Sequence, residues 1–149
     1  MKPVYYEDIE LNRTRTTSGR TITEADIVIH AGHTGDFYPH HVDAEWTKTN
    51  TPFKQRIAHG TMTFAIGVGL KANTQVNEAS FSYGYDRLRF IKPVMIGDTI
   101  RTRTRVIRKE DDPKRPELGR VIKQLEVLNQ RDEVVLACEE IGLVQRRPC

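Results

Sequence analysis

The sequence predicts an α+β domain in which an antiparallel sheet wraps around one central helix. Three observations lead there. The segment TMTFAIGVGLKA after Gly60 carries Met62, Phe64, Ala65, Ile66, Val68 and Leu70, so it is apolar nearly all round. A helix without a polar face belongs inside a protein. Everything after residue 78 reads as strand joined by short turns, which makes an antiparallel sheet. No other segment can cover the helix, so the sheet must.

The elements follow in chain order. Residues 5 to 20 begin polar and run into a TTSGRTIT stretch. Thr23, followed by Glu24 and Asp26, is a helix start, because carboxylates there offset the positive helix end. ADIVIHAG continues as a short helix that stops near Gly32 or Gly35, since glycine tolerates the left-handed backbone of a helix stop. Residues 36 to 58 read as irregular, with Pro39 and Pro52 and one short helix over Asp43 to Thr49. Long irregular stretches in compact domains are often functional. In the buried helix, Gly67 and Gly69 each cost roughly 1 kcal/mol relative to alanine. That cost is acceptable where sheet and helix backbones pack closely. FSYGYDRLRFIKP is the next strand, and IGD turns the chain. In TIRTRTRVI, Ile100, Thr102, Thr104 and Val106 share one face. Arg101, Arg103 and Arg105 take the other, which reads as a solvated face. After the loop DDPKRPELG come RVIKQLEVLN, a turn at NQRDE, and a last strand VVLACEEIGLVQ.

The chain has 149 residues, 38% of them hydrophobic and 29% charged, the balance of one globular domain spanning 1–149. A net charge of +3 with basic residues dispersed among acidic ones argues against nucleic-acid binding. The longest apolar run is broken by Gly67 and Gly69, so no membrane span is expected. MKPVYYEDIE lacks the apolar core of a signal peptide. Cys138 and Cys149 form no C-x-x-C pair. A reducing compartment, the cytoplasm, is the expectation.

Candidate chemistry concentrates in HTGDFYPHHVD, which holds His33, Asp36, His40, His41 and Asp43. Asp36 and His41, with Pro39 restricting the backbone between them, can converge on one water and move its proton. His40 is expected to point away from His41 in an extended segment. His33 reads as the end of a short helix. Then comes IAHG at the start of the buried helix. The first N–H groups of a helix lack internal partners and the dipole there is positive. Gly60 would let a carbonyl oxygen approach that backbone. His59 reads as structural, held beside the helix start. A metal reading lacks a helical H-x-x-x-H pair and a second ligand cluster, so no metal is expected.

GDFYPHHVD followed by RIAHGTMT resembles the MaoC-like hydratase and dehydratase family, which includes R-specific enoyl-CoA hydratases. Asp36, Pro39 and His41 match its D-x-N-P-x-H pattern, and Ile57, Ala58, His59 and Gly60 match its later apolar pair and H-G. RLRFIKPVMIGDTI resembles its strand–turn–strand signature, and the likeness runs from about residue 5 to residue 145. Tyr38 stands where the family has asparagine, and Val68 where some R-specific hydratases carry serine. The resemblance implies a hot-dog fold and at least a homodimer. It implies a hydro-lyase of acyl-CoA metabolism with Asp36 and His41 as the acid–base pair and Gly60 holding the thioester oxygen. Tyr38, Pro39 and His59 would support them. No cofactor is implied; coenzyme A is the substrate's carrier. A hot-dog acyl-CoA thioesterase and a non-catalytic acyl-CoA binding module are the alternatives, since a fold alone does not establish an activity.

Overall fold

The computed structural model describes residues 3–148. Met1, Lys2 and Cys149, used above in reading the N-terminus and the cysteines, lie outside the described residues. A 3-10 turn (Tyr6–Asp8) leads into β1 (Thr14–Thr16) and β2 (Arg20–Thr21). Four helices follow: α1 (Glu24–Thr34), α2 (Pro39–Val42), α3 (Ala44–Asn50) and α4 (Gly60–Thr74). The long strands β3 (Ser80–Phe90), β4 (Thr99–Asp111), β5 (Leu118–Leu128) and β6 (Val134–Gln145) complete the chain. They form one antiparallel sheet in the order β1-β4-β5-β6-β3, with β2 also pairing β4. The two short N-terminal strands are absent from the sequence reading. They are polar and exposed, and they are held by backbone pairing with β4 and, for β2, by side-chain contacts of Thr21 with Thr99 and of Arg20 with Asp26.

The local signals explain the helix ends. Asp26 accepts from the Thr23 N–H at 2.9 Å, closing the first turn of α1. Gly35, at φ +79°, ends it by donating its N–H to the Ala31 carbonyl at 2.8 Å. Asp43 caps α3 by accepting from the Trp46 N–H at 2.8 Å.

The sheet meets α4 through the alternating face of β4. Ile100, Thr102, Thr104 and Val106 are buried, and Thr102 Oγ1 donates to the Gly67 carbonyl at 2.8 Å. A Cβ on Gly67 would lie 2.6 Å from Val127 Cγ2, so this glycine is where helix and sheet touch most closely. Gly69 has nothing within 4 Å of a would-be Cβ, and close packing is not its role. The expected burial of α4 on all sides also needs correction. Met62, Thr63 and Gly67 are buried, whereas Thr61, Ala65 and Gly69 are exposed. The sheet covers one side of the helix and leaves an apolar strip open. On the outer face, Arg103 pairs with Glu126 and Arg101 with Asp132, in keeping with a solvated arginine face. Among the described residues, no helix is long and apolar enough to cross a membrane.

Candidate active site

The segment read as irregular folds as a tight turn of helix. Pro39 occupies the first helical position of α2, where its missing N–H costs nothing and its fixed φ suits the turn. The His41 N–H reaches the Tyr38 carbonyl at 2.9 Å, and the Ile57 N–H reaches the His40 carbonyl at 3.1 Å. The second bond ties α2 to the strand-like residues before α4. Those residues are anchored in turn, since Ala58 donates to the Val94 carbonyl at 2.8 Å and Ile57 bridges Met95.

This framework brings Asp36, His41 and His59 together. One polar atom from each lies within 4.8 Å of the others, and both histidines are buried. His41 Nδ1 is 2.7 Å from the Ile57 carbonyl. A carbonyl only accepts, so the proton sits on Nδ1 and the lone pair of a neutral His41 is on Nε2. His59 Nε2 likewise donates to the Asp36 carbonyl at 2.9 Å. Its ring stacks on His41 with centroids 3.7 Å apart and planes 22° from parallel. His59 is therefore a platform under His41 and a tether for the Asp36 backbone. The Asp36 carboxylate stays exposed and accepts from the Tyr38 N–H at 3.2 Å.

His40 departs from its sequence reading. It faces His41, with Nε2 to Nε2 at 2.8 Å and the rings edge to face. In a helix, consecutive side chains are turned by about 100° rather than sent to opposite sides. Pro39 is compatible with this helix start but equally with an extended segment, so it does not single out the contact. Tyr38 packs on His40 at 4.6 Å and on Trp46 at 6.1 Å between centroids, so the residue standing in for asparagine braces His40. His30 and Thr61 also join the cluster unforeseen: His30 Nε2 contacts Thr61 Oγ1 at 3.0 Å, and its ring lies 4.7 Å from His59. His33 lies in the last turn of α1, exposed.

Burial lowers the pKa of His41, and the cations of His59 and His40 lower it further; the Ile57 carbonyl and Asp36 oppose. Burial also lowers His30 and His40. The cluster thus favours neutral imidazoles at neutral pH, the form in which His41 Nε2 accepts a proton. The donors fit a shared metal ion poorly. Nearly parallel stacked rings aim their in-plane lone pairs side by side, and His41 Nδ1 and His59 Nε2 are committed to carbonyls.

Gly60 opens α4 beside this cluster, with His59 as its N-cap. Among the described residues, its N–H has no hydrogen-bond acceptor, as expected of a first-turn donor. A Cβ here would meet the Phe90 ring at 2.8 Å, and Phe90 is itself exposed. The arrangement offers a carboxylate, a neutral imidazole and an open N–H around one mouth. That set can move a proton and stabilise a nearby oxyanion.

Comparison with known proteins identifies the family. The family described as MaoC like domain matches residues 8–127. The chain is 35% identical over 96 residues to an (R)-specific enoyl-CoA hydratase of Rhodospirillum rubrum, covering 64% of this chain and 65% of that protein. It is 33% identical over 94 residues to 3-hydroxyacyl-thioester dehydratase Z of Mycobacterium tuberculosis, covering 61% and 62%. The chain thus spans between about a third and two thirds of the length of the curated relatives it matches. Among solved structures, one described as a monoamine oxidase regulatory protein from "Archaeoglobus fulgius" superposes with a TM-score of 0.90 at 35% identity, covering 98% of this chain and 97% of that one. A Mycobacterium tuberculosis protein described as a double hotdog fold matches with a TM-score of 0.73 at 23% identity, over 98% of this chain and 45% of that one. That likeness bears on fold alone. The sheet wrapped on α4 is a hot-dog fold, and the chain belongs to the MaoC-like domain family of hydratases and dehydratases.

Proposed function

We propose that this chain is a hydro-lyase of acyl-CoA thioesters, hydrating a trans-2-enoyl-CoA or, in reverse, dehydrating a 3-hydroxyacyl-CoA. The observation that carries the proposal is the convergence of Asp36 and His41 at the open N-terminus of α4. Asp36 and His41 Nε2 hold one water and withdraw its proton as the oxygen adds to the β-carbon. The double-bond electrons move to the thioester oxygen, which the Gly60 N–H stabilises as an enolate. The proton taken from water is then delivered to the α-carbon, so atoms and charge balance. Coenzyme A serves as the carrier, and the chemistry asks for no metal or redox cofactor. The His40 Nε2–H occupies the lone pair that the water needs, so His40 must turn aside when substrate enters.

The working unit is proposed to be a homodimer. Among the described residues, β3 ends the sheet with one edge unpaired, and Phe81, Tyr83, Phe90 and Ile91 are exposed along and just beyond it. Such an edge invites a second strand.

The test is to follow loss of the enoyl absorbance of crotonyl-CoA with wild type, Asp36→Ala and His41→Ala. Hydration in the wild type that falls at least about a hundred-fold in each variant is expected, the scale of lost acid–base catalysis. Variants as active as wild type would overturn the proposal. Release of free coenzyme A with the enoyl absorbance intact would identify a thioesterase.

A further inference from the structure

A cavity of about 500 Å³ lies at the C-terminal end of α4, away from the Asp36–His41 cluster. Helix rise puts the two ends of this 15-residue helix about 22 Å apart. The cavity is lined by the C-terminal turns of α4, the arm before β1 and the concave face of the sheet. Its size falls in the range of small-molecule sites. Val106, Val121 and Val144, from three adjacent strands, make an apolar wall.

The polar groups in this cavity do not balance. Glu140 is 3% exposed and pairs with Lys71 through Oε1, while its Oε2 has no hydrogen-bond partner. Lys123 stands opposite Glu140 in the β5–β6 register and opposite Val106 in the β4–β5 register, so it points to the same concave side. Among the described residues Lys123 forms no ion pair, nor do Arg13 and Arg15 at the rim. One carboxylate therefore faces two lysines and two arginines around an apolar wall. Leaving a half-buried ammonium without a counter-ion is costly, and a bound anion removes that cost. Burial, and then Arg15, hold the Lys123 pKa below its ordinary value, in keeping with its lack of an ion pair.

We propose that this cavity binds an aliphatic carboxylate, with the carboxylate on Lys123 and the arginine rim and the hydrocarbon against the valine wall. A hydroxyl on the ligand would satisfy Glu140 Oε2. The carboxylate has two possible sources: a free aliphatic acid, or the far end of an acyl thioester whose reacting end lies at Asp36 and His41. The second source rests on the function proposed above, whereas the binding itself does not.

The probe is sodium octanoate, titrated calorimetrically into the full chain, with octanol as the uncharged control. Lys123→Met keeps the length of the side chain and removes the charge. Lys71→Met is avoided, because it would strand Glu140. Saturable octanoate binding, weakened at least about ten-fold by Lys123→Met and unchanged by Asp36→Ala, is expected. Octanol binding as tightly as octanoate, octanoate binding insensitive to Lys123→Met, or no saturable binding would overturn the proposal. Turnover then separates the sources. A carboxylate-ended enoyl-CoA whose KM rises in Lys123→Met, while that of crotonyl-CoA does not, identifies the substrate's own end. Octanoate that binds without competing with either thioester identifies a free acid. Failure of both thioesters to react would refute the hydro-lyase while leaving the calorimetry to decide the site.

Discussion

His40 and His41 face each other through their Nε2 atoms at 2.8 Å. Since His41 carries its proton on Nδ1 toward Ile57, His40 donates and His41 accepts. This bond favours the neutral form of His41, and the nearby His40 charge does the same. Replacing His40 by alanine should therefore raise the pKa of His41. Titration of the His41 ring followed by NMR is expected to shift to higher pH in His40→Ala. The acid limb of the pH–rate profile should move with it, because a protonated His41 cannot take a proton from water. A titration midpoint that stays put would mean that the contact has no energetic weight.

The sequence made much of this site legible and left one part hidden. Asp36 and His41 lie near each other, as their residue types and spacing suggested, and Thr23 and Gly35 mark both ends of α1. The β4 alternation was readable because one face packs on α4 and the other meets solvent. The His40 contact was not, because a four-residue helix has no periodicity to detect, and Pro39 suits an extended segment as well as a helix start. The open strip on α4 was hidden for a different reason. An apolar helix reads alike whether its own sheet or a second chain covers its far side.

Two helix glycines should respond to alanine with opposite signs. At Gly67 the new methyl would lie 2.6 Å from Val127 Cγ2 inside the core. Overpacking of this kind costs about 1–3 kcal/mol. At Gly32, inside α1, nothing lies within 4 Å, so alanine adds no clash and gains up to about 1 kcal/mol of helix propensity. Urea unfolding should show Gly67→Ala with a lower midpoint than wild type and Gly32→Ala with an equal or higher one. A Gly67→Ala protein as stable as wild type would contradict the close approach of α4 to the sheet.

Stability should decline in mild acid. His30, His40 and His41 all have folded pKa values held below the ordinary value, chiefly by burial. As pH falls, the unfolded chain takes up these protons first, near the ordinary histidine value of about 6.5. The stability is thus fully present above that value and is lost as the pH drops from it toward the lower folded values. Asp36 opposes the shift at each of the three, so Asp36→Asn should deepen the loss. The thermal midpoint is expected to fall between about pH 7.5 and pH 5.5, more steeply in Asp36→Asn and less steeply in His41→Asn. A flat profile would remove the cluster from the stability balance.

The free edge of β3 makes the remaining prediction. The strand is bulged between Ser82 and Gly84, and Tyr83 projects there, 52% exposed. Its ring lies 5.2 Å from the Arg115 guanidinium and 5.4 Å from that of Arg120. Tyr83→Glu would place a carboxylate beside those two arginines, so a single chain should fold around it. An edge-to-edge pair of antiparallel β3 strands centred on residue 83 would bring its two copies together. Two carboxylates meeting there repel, and charge on an edge strand opposes pairing. Light scattering of the wild type should give twice the 17.1 kDa chain mass, and Tyr83→Glu should move it toward the single-chain value. A wild-type monomer would refute the pairing. A dimer indifferent to Tyr83→Glu would put the contact on another surface, the open strip of α4 being the first to probe.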